Sequence, residues 1–216
     1  MKNIVVFDLE IQKQIVDLKK ATATEAALVP DLAVDGWGNA HTAGISSAVA
    51  YNVNEDRYYI YGDRPEEHIE LVDQLTEADQ VVGFNHIKFD YPLLAHATGV
   101  SLDILMGFGS ETEPGERDID LLQMAWAGYG KRVYGSGFSL DAISLATLGA
   151  RIGGKNGDGA HAPVLYQQGR WGELLNYNLR DVEITAKLLR FVQDHGYLIT
   201  GKGVQIQTQH PAEWFK

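Results

Sequence analysis

Three short stretches combine acids at spacings that suit metal-assisted chemistry. The first is Asp8-Leu9-Glu10, which closes an apolar run starting at Asn3. Residues i and i+2 of a strand point to the same side, so both carboxylates project together from one rigid element. Such a pair repels itself and is costly to desolvate, and a bound cation removes both penalties. Taken alone, an Asp-x-Glu pair is more often two ordinary surface acids. The second stretch is Gly83-Phe84-Asn85-His86-Ile87-Lys88-Phe89-Asp90, in which an apolar segment runs into a turn and an acid opens a helix. Alone, Asp90 reads as a helix N-cap worth ~1 kcal/mol. The third is Tyr177-Asn178-Leu179-Arg180-Asp181, inside a long helical pattern. Tyr177 and Asp181 are four residues apart and share a helix face. They read either as a plain hydrogen-bonded pair or as a metal ligand beside a group that positions a nucleophilic water.

The elements that must hold these residues follow from periodicity and punctuation. Residues 3–9 (NIVVFDL) suit a buried strand. The stretch IVDLKKATATEAALV predicts a helix ending near Pro30, followed by a turn cluster at Gly36-Trp37-Gly38-Asn39. Residues 43–51 and 57–61 predict two strands of a hairpin. Pro65 opens a helix over Glu66–Glu77, with Ile69, Leu71, Val72 and Leu75 as its apolar face. Val81-Val82-Gly83-Phe84 predicts another buried strand, and Asp90 is placed to cap the next helix, with Pro92 in its first turn. Further helices are expected at 118–127 and 139–148, the latter with Ser139 as N-cap. A Gly-rich loop spans 149–163. The longest helix is expected over 170–194, with Gly196 placed to end it. The order predicts an α/β fold with a mixed central sheet flanked by helices. No internal repeat or linker divides the chain, which reads as one domain over 1–216.

Composition narrows the chemistry. The 216 residues suit one α/β domain with a sizeable core, and a hydrophobic fraction of 45% is that of a globular protein. There is no cysteine, so disulfides, thiolate zinc sites and cysteine nucleophiles are excluded. Any metal is held by oxygen or imidazole, which favours Mg²⁺, Mn²⁺ or Ca²⁺ over a structural zinc. The opening MKNIVVFDLE is not a signal peptide and no stretch has the ~20 apolar residues of a membrane span, so the expected location is cytoplasmic. A net charge of −11 argues against broad electrostatic binding to nucleic acid. A cation-holding site is nevertheless carboxylate-rich, and bound metals offset part of that charge.

The three stretches in this order resemble the DEDDy 3′→5′ exonucleases of the ribonuclease H-like superfamily, close to the proofreading domains of family-B DNA polymerases and their stand-alone relatives. Asp8 and Glu10 match the family's first motif. Asn85 with Phe89-Asp90-Tyr91-Pro92-Leu93-Leu94 matches the second, and Tyr177 with Asp181 matches the third. Asp118-Ile119-Asp120-Leu121-Leu122 and Ser139-Leu140-Asp141 are lesser echoes. The other subclass has His five residues before the last Asp, where this sequence has Asn176. The resemblance covers about 3–192 and departs from the family at an insertion over about 11–42.

The resemblance implies two divalent cations, Mg²⁺ or Mn²⁺, and hydrolysis of a phosphodiester to release nucleoside 5′-monophosphates. Asp8 would bridge both metals, Glu10 and Asp181 would complete one site, and Asp90 would serve the other. Tyr177 would orient the attacking water. Leu9, the main chain at Glu10, Asn85 and Phe89 would contact the terminal nucleotide. The implied partners are single-stranded 3′ ends, with DNA placed ahead of RNA, and a repair or polymerase partner has no readable motif.

Other features carry less. Gly149 to Asn156 nearly matches a phosphate-binding loop, but Asn156 stands where Ser or Thr is required and the loop follows a helix. Lys155, with Arg151 and His161, reads either as a contact to a nucleic-acid backbone or as a solvated loop. Among four dispersed tryptophans, Trp37 lies beside the first-motif insertion, where stacking on a base competes with ordinary packing. Two rival functions share the scaffold: a structure-specific endonuclease, against which the Tyr177–Asp181 pair argues, and a non-catalytic nucleic-acid-binding module, against which the full set of acids argues.

Overall fold

The computed structural model describes residues 2–107, 117–135, 137–150 and 159–208. Among them, five strands form a central sheet in the order β5-β4-β1-β6-β7. These are β1 (Ile4–Ile11), β4 (Ile45–Asn52), β5 (Arg57–Tyr61), β6 (Gln80–Gly83) and β7 (Asp118–Asp120). β1 pairs antiparallel with β4, and β4 with β5, while β6 runs parallel to both β1 and β7. The fold is therefore the expected mixed α/β arrangement.

β1 is covered on both faces, which is why it reads as a continuous apolar run. Val5, Phe7 and Leu9 pack with Leu71 and Leu75 of α2 (Pro65–Thr76) and Leu93 and Leu94 of α3 (Asp90–Thr98). Val6 faces the opposite layer. That layer contains α5 (Leu121–Tyr129), α6 (Leu140–Leu148) and the long helix α8 (Trp171–His195), through residues such as Val182, Leu188 and Val192. Strand alternation then puts Asp8 and Glu10 on the α8 side. α8 ends at Gly196, whose φ of 74° is the left-handed conformation that favours glycine, and Ser139 caps α6 by accepting from the Ala142 N–H.

Four expectations change. The helix expected before Pro30 is absent. The segment instead holds β2 (Gln14–Val16), one helical turn α1 (Ala23–Ala26) and β3 (Ala33–Asp35), with β2 and β3 paired in parallel, and then a 3-10 segment Trp37–Thr42. The Thr22–Glu25 capping box starts a helix there. Non-local bonds decide the rest: Lys13 and Gln14 N–H donate to Ala43 and Leu32 carbonyls, each at 3.0 Å. Residues 118–120 are a strand and not the first turn of a helix, because they complete the parallel ladder on β6. In α2, His68 joins Leu71, Val72 and Leu75 in the buried face, while Ile69 is 42% exposed. Finally, Asp90 does not cap α3. Phe89 occupies the N-cap position, and the Asp90 carboxylate is engaged elsewhere.

Candidate active site

β6 accompanies β1 only from Ile4 to Val6 and then turns away. Beyond that point one edge of β1 is open, and Asp90 fills it: the Leu9 N–H donates to Asp90 Oδ1 at 3.2 Å. Burial pushes the Asp90 carboxyl up to about 7, against the opposing pull of His86 and of the Leu9 N–H. Asp90 is thus pinned to the first motif through main chain, which explains why it is not a cap.

Asp8, Glu10 and Asp181 converge. One carboxylate oxygen from each lies within 4.8 Å of the others. Glu10 and Asp181 are buried, and Asp8 is half-buried. Tyr177, one turn before Asp181, is buried on the same helix face. Three hard anionic oxygens at this separation are a donor set suited to a divalent cation, since carboxylates left this close without one repel each other. Asp90 is outside this trio but lines the same cleft, a cavity of about 460 Å³.

Asn85 also lines the cleft, as do Leu9 and Phe89. Asn85 adopts φ 68°, a left-handed conformation that Asn tolerates better than most residues. Its side-chain carbonyl oxygen is buried with no hydrogen-bond partner among the described residues. Lys155 and Arg151 lie outside the described residues. His161 ends the short 3-10 turn Gly159–His161, which precedes α7 (Ala162–Gln167), and the cleft is lined there by Ala160 and Pro163.

Three further groups support the site, and for Asn178 the sequence offered no role. Asn178, fully buried on α8, donates from Nδ2 to Asp8 Oδ2 at 2.8 Å, and receives a long 3.5 Å contact from Ser47 Oγ. A polar residue on the buried face of an amphipathic helix, three before Asp181, is the signal that marks it. Asp120 holds the turn after β6: its Oδ1 accepts from the N–H groups of Asn85 at 2.9 Å, Leu122 at 3.0 Å and Gln123 at 3.2 Å, so it caps α5 as well. His86 sits fully buried behind that turn, 3.7 Å from Asp118 and 3.9 Å from Asp120, and Tyr91 donates its hydroxyl to Asp118 at 2.5 Å. Burial opposes an imidazolium there, but the two facing carboxylates outweigh it and hold the His86 pKa above the ordinary 6.5. Gly83 makes this possible, since a Cβ on it would stand 2.8 Å from the His86 ring.

A family model described as RNase_H superfamily matches residues 37–193, well over half of the chain. No curated protein matches the sequence. Among solved structures, the family B DNA polymerase from the hyperthermophilic archaeon Pyrobaculum calidifontis is similar, with a TM-score of 0.57 and 16% identity. The alignment covers 89% of this chain and 24% of the polymerase, so the chain spans about a quarter of that protein's length, and the likeness concerns the fold.

Proposed function

Because this chain belongs to the RNase_H superfamily, we propose that it is a metal-dependent nuclease, and specifically a 3′→5′ exonuclease acting on single-stranded ends. The observation that carries the reading is the convergence of Asp8, Glu10 and Asp181 beside Tyr177, with Asp90 in the same cleft. These four acids fit a pair of divalent cations, Mg²⁺ or Mn²⁺, which when bound supply Lewis-acid charge for phosphodiester hydrolysis.

The chain's own residues divide the remaining work. Asn178 holds the Asp8 carboxylate in one orientation, and Asp90 locks the end of β1 that carries it. Tyr177 orients a water for attack on phosphorus. Water adds to the phosphorus, the bond to the 3′ oxygen of the preceding nucleotide breaks, and that oxygen takes a proton. A nucleoside 5′-monophosphate leaves. Asn85, on the wall of the same cleft, would contact the terminal nucleotide.

The test is a time course in Mn²⁺ on matched single-stranded DNA and RNA oligonucleotides labelled at the 5′ end. A descending ladder that disappears with chelator, and with Asp8→Ala or Asp181→Ala in folded protein, is the expected result. One discrete internal cut would move the reading to an endonuclease, and uncut strands would sink it.

A further inference from the structure

Trp37 is left unexplained by the acid chemistry. It is 75% exposed, although large aromatic side chains ordinarily bury most of their surface. Its position is nonetheless built. Gly36 turns the chain out of β3 with φ 72°, donates its N–H to Val16 O at 2.7 Å and accepts from Asn39 N–H at 3.1 Å. Asn39 Nδ2 then donates to Asp35 O at 2.7 Å. The Trp37 ring lies 6.1 Å from the Phe89 ring, tilted by 58°. Both rings line the cleft that holds the acids.

The electrostatics of that cleft give the rings a purpose. Its described lining includes Asp8, Glu10, Asp90 and Asp181 but no Lys, Arg or His. None of these described lining residues is a side-chain cation that would meet a phosphate chain, the usual electrostatic source of nucleic-acid affinity. Stacking on aromatic faces is the other general source, and it is indifferent to base identity.

We infer that Trp37, with Phe89 behind it, is a stacking platform for the terminal base of a single-stranded nucleic acid, and so selects unpaired ends. This rests on the proposed nuclease reading for the identity of the ligand. A base in a duplex is already paired and stacked, so presenting it to Trp37 costs the energy of opening the end. The inserted segment 11–42 would then be the specificity element of the site.

The test is fluorescence anisotropy with 5′-fluorescein single-stranded oligonucleotides in Ca²⁺, using one strand with normal bases and one whose last two sugars carry none. Trp37→Ala should weaken binding of the normal strand by roughly 5- to 150-fold, the range that loss of one stacked base gives. It should hardly change binding of the abasic strand, and Trp37→Phe should restore most of the loss. Equal weakening on both strands, or none on either, overturns the platform. Cleavage in Mn²⁺ by the wild type and by Trp37→Ala separates the two readings. Ends cut without any dependence on Trp37 defeat the platform alone. Trp37-dependent binding of ends that stay uncut supports the platform and defeats the exonuclease. Neither binding nor cutting overturns both.

Discussion

Asn178 Nδ2 donates to Asp8 Oδ2 at 2.8 Å, a bond that joins α8 to β1 across 170 positions of sequence. It fixes the half-buried acid of the trio from the same helix that supplies Asp181. Groups that orient metal ligands in this way typically matter 10- to 100-fold in affinity or activity. Asn178→Ala should therefore lower kcat and weaken cation binding by roughly 10- to 100-fold, as read by activity titrated against Mn²⁺. Wild-type titration curves in the variant would assign Asn178 to packing alone.

The crowding of Asp8, Glu10 and Asp181 predicts a stability effect that needs no substrate. Cations that bind only the folded protein stabilise it by about 2.7 kcal/mol at a hundred times the dissociation constant. Mn²⁺ should raise the Tm of the wild type, and Asp181→Asn should lose most of that rise. With chelator present, wild type and Asp181→Asn should differ far less in Tm than they do in Mn²⁺. An equal Mn²⁺-induced rise in both proteins would show that the cation does not bind at Asp181.

Tyr177 shares its helix face with Asp181 but is not one of the three clustered acids. Tyr177→Phe should slow turnover by about 100-fold, the lower end for a group that handles a reacting proton or water. The Mn²⁺-induced rise in Tm should stay as in the wild type. Loss of both would make the hydroxyl part of the metal site.

The two shifted groups near the second motif predict a pH dependence of the metal-free protein. Asp90 is raised from 3.8 to about 7, so the folded state binds the extra proton and its contribution to stability is lost as pH rises from about 4 through 7. His86 is raised above 6.5, so its contribution is complete below that value and is lost as pH rises through its folded pKa. The two losses have the same sign. Tm in chelator should fall steadily from pH 5 to pH 8. Asp90→Asn should flatten the lower part of that fall. His86→Gln, which leaves Asp118 and Asp120 without their facing imidazolium, should lower Tm most at pH 5 and flatten the upper part. A Tm that rises over this interval would show that other groups dominate.

The acids themselves were legible because their elements are local. Alternation along residues 4–10 puts Asp8 and Glu10 on one side of a strand whatever surrounds it. The i, i+4 spacing does the same for Tyr177 and Asp181. The ends of the long helix were legible for the same reason, since Gly196 supplies the left-handed residue that a helix terminus uses. The inserted segment was not. Its helix-forming residues yield to a parallel pairing of Gln14–Val16 with Ala33–Asp35 and to main-chain bonds reaching Ala43 and Gly44, contacts that no window of sequence contains.

Asp90 and Asn178 mark the same boundary within the site. From sequence, Asp90 is an acid at a helix start and reads as a cap; in the fold it serves the open edge of β1 at Leu9. From sequence, Asn178 is one polar residue between two of interest; in the fold it grips Asp8. What the sequence by itself determined is which residues carry charge and which side of its own element each one takes, because strand and helix periods are set by backbone geometry. Only the tertiary structure decided that three of those charges come within 4.8 Å, what orients them, and that Trp37 stands at their cleft. Those distances depend on how β1, α3, α8 and the inserted segment pack, and packing is a property of pairs of elements that neither partner encodes alone.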